Sequence, residues 1–306
     1  MNEIINKEYI SNLLKNNIEG IVVHTDEPMK NHTYFRIGGK ADIFISVKNE
    51  KEILELVRLL KESKVPYYVI GNGSNLLVSD DGIEGVVISV GKDFSGISCN
   101  DNRIEASAGT LLSRISACAL ENSLTGFEFA SGIPGSLGGA IVMNAGAYDG
   151  EMKDVVVSTR YISADGEIKE VFGVDHGFGY RKSNFTNGEI IVSSVIELKP
   201  GDKDSISAYM RDLAERRRTK QPLEYPSAGS TFKRPEGFFA AKLIDDAGLR
   251  GYRHGGAMVS DKHCGFVVNV DNATCADVKA VMNHIEKIVM EKFGVKLEPE
   301  VKLLGR

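Results

Sequence analysis

The spacing of apolar residues divides the first part of the chain into helices and strands. Helical spacing over residues 3–17 predicts a helix whose apolar positions are Ile4, Ile5, Ile10, Leu13 and Leu14. Alternation after Gly39 predicts a strand that ends near residue 47, and Asn49 can cap a helix over residues 50–62. The same patterns predict strands at 67–70, 76–78 and 103–109 and a helix at 111–122.

The second half begins with strands and ends with helices. Strands are predicted at 155–164, 168–172 and 190–198, with Asp165 and Gly166 as a hairpin turn. Further elements are a helix at 205–218, a helix at 238–247, strands near 264–270 and a helix over about 274–293. The change from strand-rich material to a helix and an α+β module predicts a domain boundary near residues 200–222.

Composition and charge exclude several classes of protein. The 306 residues carry a net charge of −5 with the signs interspersed, whereas general nucleic-acid binding needs a basic face. The sequence contains no run of about 18 apolar residues, and its N-terminus is polar rather than signal-like. We therefore expect a cytoplasmic protein with no nucleic-acid or membrane partner.

The four cysteines predict reduced thiols rather than a disulfide framework. They are far apart, no C-x-x-C motif is present, and no histidine stands at metal-ligand spacing, so we propose no metal site. Cys264 directly follows His263, which leaves a nucleophilic thiol as a minor alternative. Neighbouring residues of a strand point to opposite faces, and this disfavours the pair.

One stretch stands out from the rest, and we call Gly126–Tyr148 the glycine segment. It is an apolar run that glycines interrupt and that contains no Lys or Arg. The segment has too many glycines for a stable helix interior and too many apolar residues for a solvated loop. We expect its backbone N–H groups to face the phosphates of a cofactor. The alternative is a buried turn in a β-rich core, since glycine motifs alone are weak signals.

A second glycine-rich stretch, GNGSN at residues 71–75, lies between two predicted strands. It lacks the third glycine and the following helix that a nicotinamide-binding Rossmann turn requires. A phosphate-binding loop between strands fits better. The basic residues Arg216, Arg217, Arg218 and Lys220 end the predicted helix, where cations complement the helix dipole.

Six motifs in order resemble one enzyme family. They are NHTYFRIGGKAD, GNGSNLLVSD, GIPGSLGGAIVMNAGAY, FGYRKS, AGSTFKRP and LEPEVKLLG. The chain resembles the UDP-N-acetylenolpyruvoylglucosamine reductase (MurB) family over nearly its whole length. The resemblance implies an α+β fold, with an N-terminal helical segment at 1–30 before a two-subdomain FAD-binding domain of the vanillyl-alcohol-oxidase (PCMH) type at 31–204. Its subdomains would be about 31–90 and 91–204, and a C-terminal α+β substrate-binding domain would follow at 205–306.

The resemblance also implies a cofactor and a reaction. Non-covalent FAD, reduced by NADPH, would reduce the enolpyruvyl ether of UDP-N-acetylglucosamine to UDP-N-acetylmuramate for peptidoglycan synthesis. The activity would be that of a UDP-N-acetylmuramate dehydrogenase, with NADPH and the sugar nucleotide as partners of a monomer. No nicotinamide fingerprint is present, so we expect the nicotinamide and the sugar to share one cleft in a ping-pong sequence.

Three residues match the family's catalytic positions. Arg181 would hold the substrate carboxylate, Ser230 would donate the proton, and Glu300 would lie near the same carboxylate. Negative charge develops beside this carboxylate during reduction, so a planar guanidinium suits the task. Without the resemblance, Arg181 would more often be a surface strand residue, Ser230 a cap or loop residue and Glu300 a solvated charge.

The resemblance assigns further residues to FAD and to the substrate. For FAD they are Arg36, Gly38, Gly39, Gly71, Asn72, Gly73, Ser74, Asn75, Gly132, Pro134, Gly135, Gly138 and Gly139. For the substrate they are Lys220, Arg234 and Tyr180. Arg234 departs from the family pattern, in which many members have Asn near the diphosphate. Only 48 residues separate Arg181 from Ser230, too few for the Tyr-bearing loop of one branch of the family.

Two other functions compete with a reductase. A flavin oxidase or dehydrogenase with another small substrate could use the same FAD domain, although AGSTFKRP and LEPEVKLLG argue against it. An FAD-bearing electron-transfer or interaction subunit would give Ser230 and Glu300 no task.

Overall fold

A computed structural model of the chain describes residues 6–306, so Ile4 and Ile5 of the first predicted helix lie outside the described residues. This part contains seven α-helices: α1 (Lys7–Asn17), α2 (Glu50–Glu62), α3 (Leu112–Glu121), α4 (Leu137–Met143), α5 (Lys203–Lys220), α6 (Ala240–Asp246) and α7 (Cys275–Phe293). None of the helices in the described residues is both long and apolar enough to span a membrane.

Between the helices lie eighteen strands within residues 6–306. The first nine are β1 (Val23–Pro28), β2 (Lys40–Ser46), β3 (Tyr67–Ile70), β4 (Leu76–Val78), β5 (Ile83–Ser89), β6 (Ile97–Asn100), β7 (Arg103–Ser107), β8 (Leu124–Thr125) and β9 (Gly146–Ala147). The others are β10 (Gly150–Glu151), β11 (Val156–Ile162), β12 (Ile168–Phe172), β13 (Ile190–Glu197), β14 (Lys199–Pro200), β15 (Arg253–His254), β16 (Ala257–Val259), β17 (Val267–Asn269) and β18 (Lys302–Leu304).

The strands form several sheets. The largest is antiparallel and has the order β12-β11-β13-β7-β6, and a four-stranded sheet has the order β1-β2-β5-β3. A three-stranded sheet has the order β15-β16-β17. β18, near the C-terminus, pairs parallel to β4, with Leu303 opposite Leu77. The predicted α+β class is confirmed, because the chain combines helices with sheets that are mostly antiparallel.

The chain divides into two compact units, each with its own apolar core. Among the described residues, the first unit comprises 6–25, 43–72 and 85–217, and the second comprises 26–42, 73–84 and 218–306. The first core includes Leu56 and Ile104, and the second includes Phe35 and Val281. The domain limits expected from the sequence, at 30/31 and 204/205, are a different division and stay a prediction.

Local sequence signals explain several element boundaries. Asn49 begins α2, and its Oδ1 accepts a hydrogen bond of 2.9 Å from the Glu52 N–H. Thr274 begins α7 with a capping box, in which its Oγ1 accepts from the Asp277 N–H at 3.0 Å. β11 and β12 pair as the predicted hairpin, with Ile162 opposite Ile168. The predicted Asn49 cap, the helix that begins near residue 274 and the hairpin are confirmed.

The glycine segment contains a helix that the sequence argument excluded. α4 includes Gly138 and Gly139, so the statement that this segment is too rich in glycine for a helix interior is wrong. The helix is stabilised by packing rather than by propensity, since Leu137 and Ile141 are fully buried. A Cβ at Gly138 would lie 3.0 Å from the Ala108 Cβ, so only glycine lets the helix approach that closely.

Candidate FAD and substrate site

The first unit brings Gly71 and Asn72 of GNGSN against the glycine segment. The Asn72 amide Nδ2 donates a hydrogen bond of 2.7 Å to the Pro134 carbonyl. A Cβ at Gly71 would lie 2.7 Å from the Ser136 Oγ, so glycine is needed there for close approach. GNGSN lies between β3 and β4 with no helix after it, as the sequence argument predicted.

One buried hydroxyl in this place indicates a ligand. The Ser136 side chain is 2% exposed, and its Oγ has no hydrogen-bond partner among residues 6–306. A buried hydroxyl without a partner is costly, so a native protein normally supplies one from the chain, from water or from a ligand. The site therefore suits a cofactor that carries hydrogen-bonding oxygens, and FAD is such a cofactor.

Gly138 and Gly139 differ in what surrounds them. The Gly138 N–H donates to the Ala108 carbonyl at 2.8 Å and is therefore not available to a phosphate. A Cβ at Gly139 would meet no atom of the described chain within 4 Å, and the residue is exposed. Of the two, Gly139 has the geometry that close approach of a ligand requires.

Arg181 lies in a tight turn of the first unit. The backbone groups of Gly179 and Lys182 pair at 3.0 and 3.2 Å, which leaves Tyr180 and Arg181 at the tip. Arg181 has a backbone φ of 54°, a value that residues other than glycine rarely adopt. Its Nη2 donates to the Gly146 carbonyl at 3.1 Å, and its guanidinium carbon is 5.2 Å from the Tyr180 ring centroid.

Two polar side chains attach this turn to the end of α4. The buried Asn144 amide donates to the Gly179 carbonyl at 3.0 Å and to the Glu151 carboxylate at 2.7 Å. The Ser183 hydroxyl donates to the Val142 carbonyl at 2.8 Å. Both bonds fix the turn to the glycine segment, so the position of Arg181 depends on that segment.

The second unit brings the segments of Ser230 and Glu300 together. The Glu300 N–H donates to the Thr231 carbonyl at 2.8 Å, and Phe232 forms a bridge with Pro299. The buried Thr231 Oγ1 accepts from the Val267 N–H at 2.9 Å. Ser230 itself is exposed and follows Gly229, whose φ is +75°. The two segments, far apart in sequence, are therefore adjacent.

Asn75 connects GNGSN to the same place. Its Nδ2 donates to the Glu300 carbonyl at 3.1 Å, and its own carbonyl accepts from the Lys302 N–H at 2.9 Å. The parallel pairing of β18 with β4 produces this contact, because Lys302 lies opposite Leu76.

Other residues of the second unit that the resemblance assigns to FAD also have roles in the fold itself, which partly explain why these residue types occur there. The Gly39 N–H donates to the Ser79 carbonyl at 2.8 Å, and a Cβ at Gly38 would lie 2.8 Å from the Val78 Cβ. The Gly73 carbonyl accepts from the Tyr34 N–H at 3.1 Å, and Ser74 is partly exposed. Exposed Arg36 lines an open polar cavity of about 600 Å³ together with Lys30, Asn31 and Asn269.

The substrate candidates lie at the surface. Lys220 ends α5 and is exposed, and Tyr180 is also exposed. Arg234 is exposed too, with its guanidinium carbon 3.9 Å from the centroid of the Phe239 ring. This cation–π contact limits the conformations that Arg234 can adopt.

The structure disfavours Cys264 as a nucleophile. Burial raises the pKa of the Cys264 thiol to about 11, and a hydrogen bond of 3.4 Å to the Asp245 carboxylate adds to the shift. The thiol is therefore protonated at neutral pH and is a poor nucleophile. All four cysteines are free thiols.

Sequence reasoning missed Arg217. It was grouped with the cations that complement the dipole at the end of α5, yet it is buried, with 8% of its surface exposed. The signal was its spacing, because Arg217 stands four residues after buried Leu213 and so falls on the same face of the helix.

Comparison with known proteins decides the family. A family model described as FAD binding domain matches residues 41–171, and one described as UDP-N-acetylenolpyruvoylglucosamine reductase, C-terminal domain, matches residues 221–304. The UDP-N-acetylenolpyruvoylglucosamine reductase of Clostridioides difficile (strain 630) is 51% identical over 284 residues, which is 92% of this chain and 93% of the relative. The chain belongs to the UDP-N-acetylenolpyruvoylglucosamine reductase family.

Other relatives agree with this membership. The reductase of Agathobacter rectalis is 52% identical over 293 residues, covering 92% of this chain and 93% of the relative. The crystal structure of the reductase (MurB) from Thermus caldophilus superposes with a TM-score of 0.79 at 34% identity, covering 93% of this chain and 98% of that one. Membership of the reductase family makes the protein an FAD-dependent oxidoreductase.

A distant structure shows how widely the fold occurs. A variant of Phl p 4, described as a glucose oxidase, has a TM-score of 0.53 at 12% identity, covering 94% of this chain and 63% of that one. At this identity the likeness concerns the fold alone. The predicted architecture, a PCMH-type FAD-binding domain with a C-terminal reductase domain, is confirmed.

Proposed function

We propose that this protein uses NADPH to reduce the enolpyruvyl ether of UDP-N-acetylglucosamine to UDP-N-acetylmuramate. The reaction would serve peptidoglycan synthesis in the cytoplasm, and so cell-wall biogenesis, cell shape and cell division. The observation that carries the proposal is the 2.8 Å hydrogen bond from the Glu300 N–H to the Thr231 carbonyl. It places Glu300 beside the segment of Ser230 in a chain half identical to reductases of this name.

The chain's own residues have distinct tasks in this chemistry. FAD, when bound, supplies hydride transfer. Addition of a hydride to the terminal alkene carbon leaves negative charge on the neighbouring carbon and on its carboxylate. The Arg181 guanidinium binds the carboxylate through its planar set of donors and stabilises that charge. The Ser230 hydroxyl donates a proton to the charged carbon, which completes reduction of the double bond.

Glu300 has to be compensated if it lies at the same carboxylate. Two carboxylates at contact distance repel, so either Glu300 carries a proton or the positive charge of Arg181 offsets both. Glu300 is partly exposed, and its backbone is held on both sides by Thr231 and Asn75. We assign it a role beside Ser230, as a group that orients the substrate carboxylate and helps restore the Ser230 proton.

In this proposal, exposed cations bind the diphosphate of the substrate. Lys220 and Arg234 are exposed and carry the charge that a diphosphate requires, and Tyr180 adds a hydroxyl beside Arg181. The contact of Arg234 with the Phe239 ring orients the guanidinium before any ligand arrives, which reduces the entropy lost on binding.

The FAD site is proposed to use both glycine-rich motifs. Gly71, Asn72, Gly132, Pro134, Gly135 and Gly139 would contact the cofactor, together with the Ser136 hydroxyl. The family resemblance also assigns Arg36, Gly38, Gly39, Gly73, Ser74 and Asn75 to FAD. Gly138 is assigned to packing beneath the cofactor, because its N–H is already bonded.

Removal of the Ser230 hydroxyl tests the proposal most sharply. In Ser230→Ala, we expect NADPH to reduce the flavin at the parent rate. Reoxidation by the UDP-enolpyruvyl sugar should slow by at least about 100-fold, the usual contribution of a positioned acid. Stopped-flow absorbance separates the two half-reactions.

Ser227→Ala, three residues earlier, is the matched control and should keep both rates. A Ser230→Ala protein that is reoxidised by substrate at the parent rate would remove serine from its assigned role.

A further inference from the structure

Glu151 is a partly buried carboxylate to which the reaction scheme above gives no task. Its side chain is 26% exposed, and its Oε2 accepts a hydrogen bond of 2.7 Å from the Asn144 amide Nδ2. The Lys153 Nζ lies 3.0 Å from the same oxygen. A carboxylate that is held by two donors has a defined orientation, so it can in turn hold its neighbours in place.

The first link from Glu151 to Arg181 runs through the backbone of the tight turn. The Asn144 amide that donates to Glu151 also donates to the Gly179 carbonyl at 3.0 Å. Asn144 is fully buried, and its Oδ1 accepts from the Lys153 N–H at 2.9 Å, so all its polar atoms are engaged in a single orientation. Gly179 closes the turn that carries Arg181. The carboxylate therefore fixes the amide, and the amide fixes the turn.

The second link runs through the hairpin of β9 and β10. The Arg181 Nη2 donates to the Gly146 carbonyl at 3.1 Å, and Glu151 lies opposite Gly146 in the hairpin. Tyr148 and Asp149 form its two-residue turn, and both have the positive φ that such a turn requires. A Cβ at Gly146 would lie 2.7 Å from the Glu151 Cγ, so the stem of the glutamate packs on the residue that accepts from the guanidinium.

We propose that Glu151 is a positioning residue that orients the Arg181 guanidinium toward the substrate carboxylate. It supports both the turn that carries Arg181 and the hairpin that accepts from its side chain, so its loss releases Arg181 at two points. A bidentate contact with a carboxylate needs a defined orientation of the guanidinium plane, and a small displacement lowers the rate while the charge remains. The assignment rests on the proposed function, in which Arg181 binds that carboxylate.

The first test separates the two half-reactions of the FAD-loaded protein by stopped-flow absorbance. In Glu151→Ala, we expect NADPH to reduce the flavin at the parent rate, whereas reoxidation by the UDP-enolpyruvyl sugar should slow by about tenfold or more. Glu151→Gln keeps an oxygen that accepts from Asn144 and should recover most of the rate. Glu167→Ala is the matched control, because Glu167 also pairs with the lysine two residues later, at 3.1 Å, and it should keep both rates.

A double-variant cycle distinguishes positioning of Arg181 from a general role in stability. In an Arg181→Ala background, Glu151→Ala should slow reoxidation further by less than about twofold, because no guanidinium remains to be oriented. Melting temperatures of the FAD-loaded proteins, measured without sugar or NADPH, give a second readout. The fall in the double variant should be smaller than the sum of the falls in the two single variants, since both changes break the same linked contacts.

Slow reoxidation in Glu151→Ala, together with non-additive effects in both cycles, supports the proposal. Reoxidation at the parent rate overturns it. Flavin reduction that slows to the same extent, or effects that combine fully in the double variant, also overturn it, because Glu151 then acts on the fold as a whole. If Glu151→Ala does not fold, Glu151→Met keeps the packed stem and is measured instead. A parent protein that the sugar cannot reoxidise would contradict the proposed function alone, since the melting temperatures still report the coupling of Glu151 with Arg181.

Discussion

At the scale of single residues, the conformation of Arg181 shows how the site is constrained. Its φ of 54° is held by the paired backbone groups of Gly179 and Lys182. A left-handed conformation costs a residue with a Cβ about 1 kcal/mol or more relative to glycine. Strain of this kind persists where the surrounding structure fixes the backbone, as the bonds from Asn144 and Ser183 do here.

This strain leads to a prediction about two variants of Arg181. Arg181→Ala and Arg181→Gly both lose the hydrogen bond to the Gly146 carbonyl, but only glycine relieves the backbone. We expect Arg181→Gly to be the more stable by about 1 kcal/mol in denaturant unfolding. Both variants should lose reoxidation by substrate and keep FAD. Equal stability of the two would show that the turn is not strained.

Several site residues could be predicted one at a time, whereas the partners that hold them could not. Ser230 and Glu300 came from motifs, yet the bond between Glu300 and Thr231 joins segments that are far apart in sequence. Asn144 and Ser136 were missed, because a polar residue in an apolar run gives no sign of whether it is buried or what it meets. Arg217 was missed because a charged residue is normally taken to face solvent. Its position four residues after Leu213 indicates the buried face of the helix instead.

At the scale of elements, α4 is the point where pattern and structure differ. Helices such as α2 and α7 carry caps and an apolar face, so the sequence predicts their limits to within a residue or two. α4 has no side-chain cap hydrogen bond, has two glycines in its first turn and is only seven residues long. Its stability comes from burial of Leu137 and Ile141, which the local sequence does not reveal.

The exposed glycine of α4 gives a prediction with two opposite effects. Gly139→Ala places a methyl group in open space, and replacing a helical glycine with alanine should stabilise the FAD-free protein by up to about 1 kcal/mol. If FAD approaches this backbone, the same methyl group should weaken FAD binding by tenfold or more. Thermal unfolding and fluorescence titration measure the two quantities.

Gly138→Ala is the paired control for this prediction. Its Cβ would press on Ala108, so the FAD-free protein should be destabilised rather than stabilised. An unchanged FAD affinity in Gly139→Ala would contradict the placement of the cofactor over α4.

At the scale of the whole molecule, the response to acid depends on buried histidines. His176 is fully buried between the Gly173 carbonyl and the Thr159 hydroxyl, both at 2.9 Å. Burial lowers the pKa of His176, while the Gly173 carbonyl and Asp175 oppose this shift. Burial also lowers the pKa of His263.

The sign of the pH dependence follows from these shifts. The unfolded chain takes up a proton near pH 6.5, where the folded protein still keeps His176 neutral. The stability from neutral His176 is therefore complete above about pH 6.5 and is lost as the pH falls through that value. Urea unfolding between pH 7.5 and 5 measures how the free energy of unfolding changes with pH. We expect this free energy to fall less steeply in His176→Gln than in the parent.

The arrangement of the whole chain was predictable only through its motifs. Alternation predicts that β4 and β18 are apolar strands, but it cannot name their partners, and their parallel pairing joins residues from opposite ends of the sequence. The two units are likewise assembled from separated stretches, and the change of pattern near residues 200–222 coincides with only one of their boundaries, at 217/218. Six motifs in family order supplied what periodicity could not.

The central claim is that this FAD-dependent protein delivers electrons from NADPH to an enolpyruvyl ether. The most direct measurement is the absorbance of the anaerobic, FAD-loaded protein during two additions. NADPH should bleach the flavin, and the UDP-enolpyruvyl sugar should then restore the yellow colour in the absence of oxygen, with one UDP-N-acetylmuramate formed per flavin. Colour that returns only when oxygen is admitted, with no product formed, would contradict the claim.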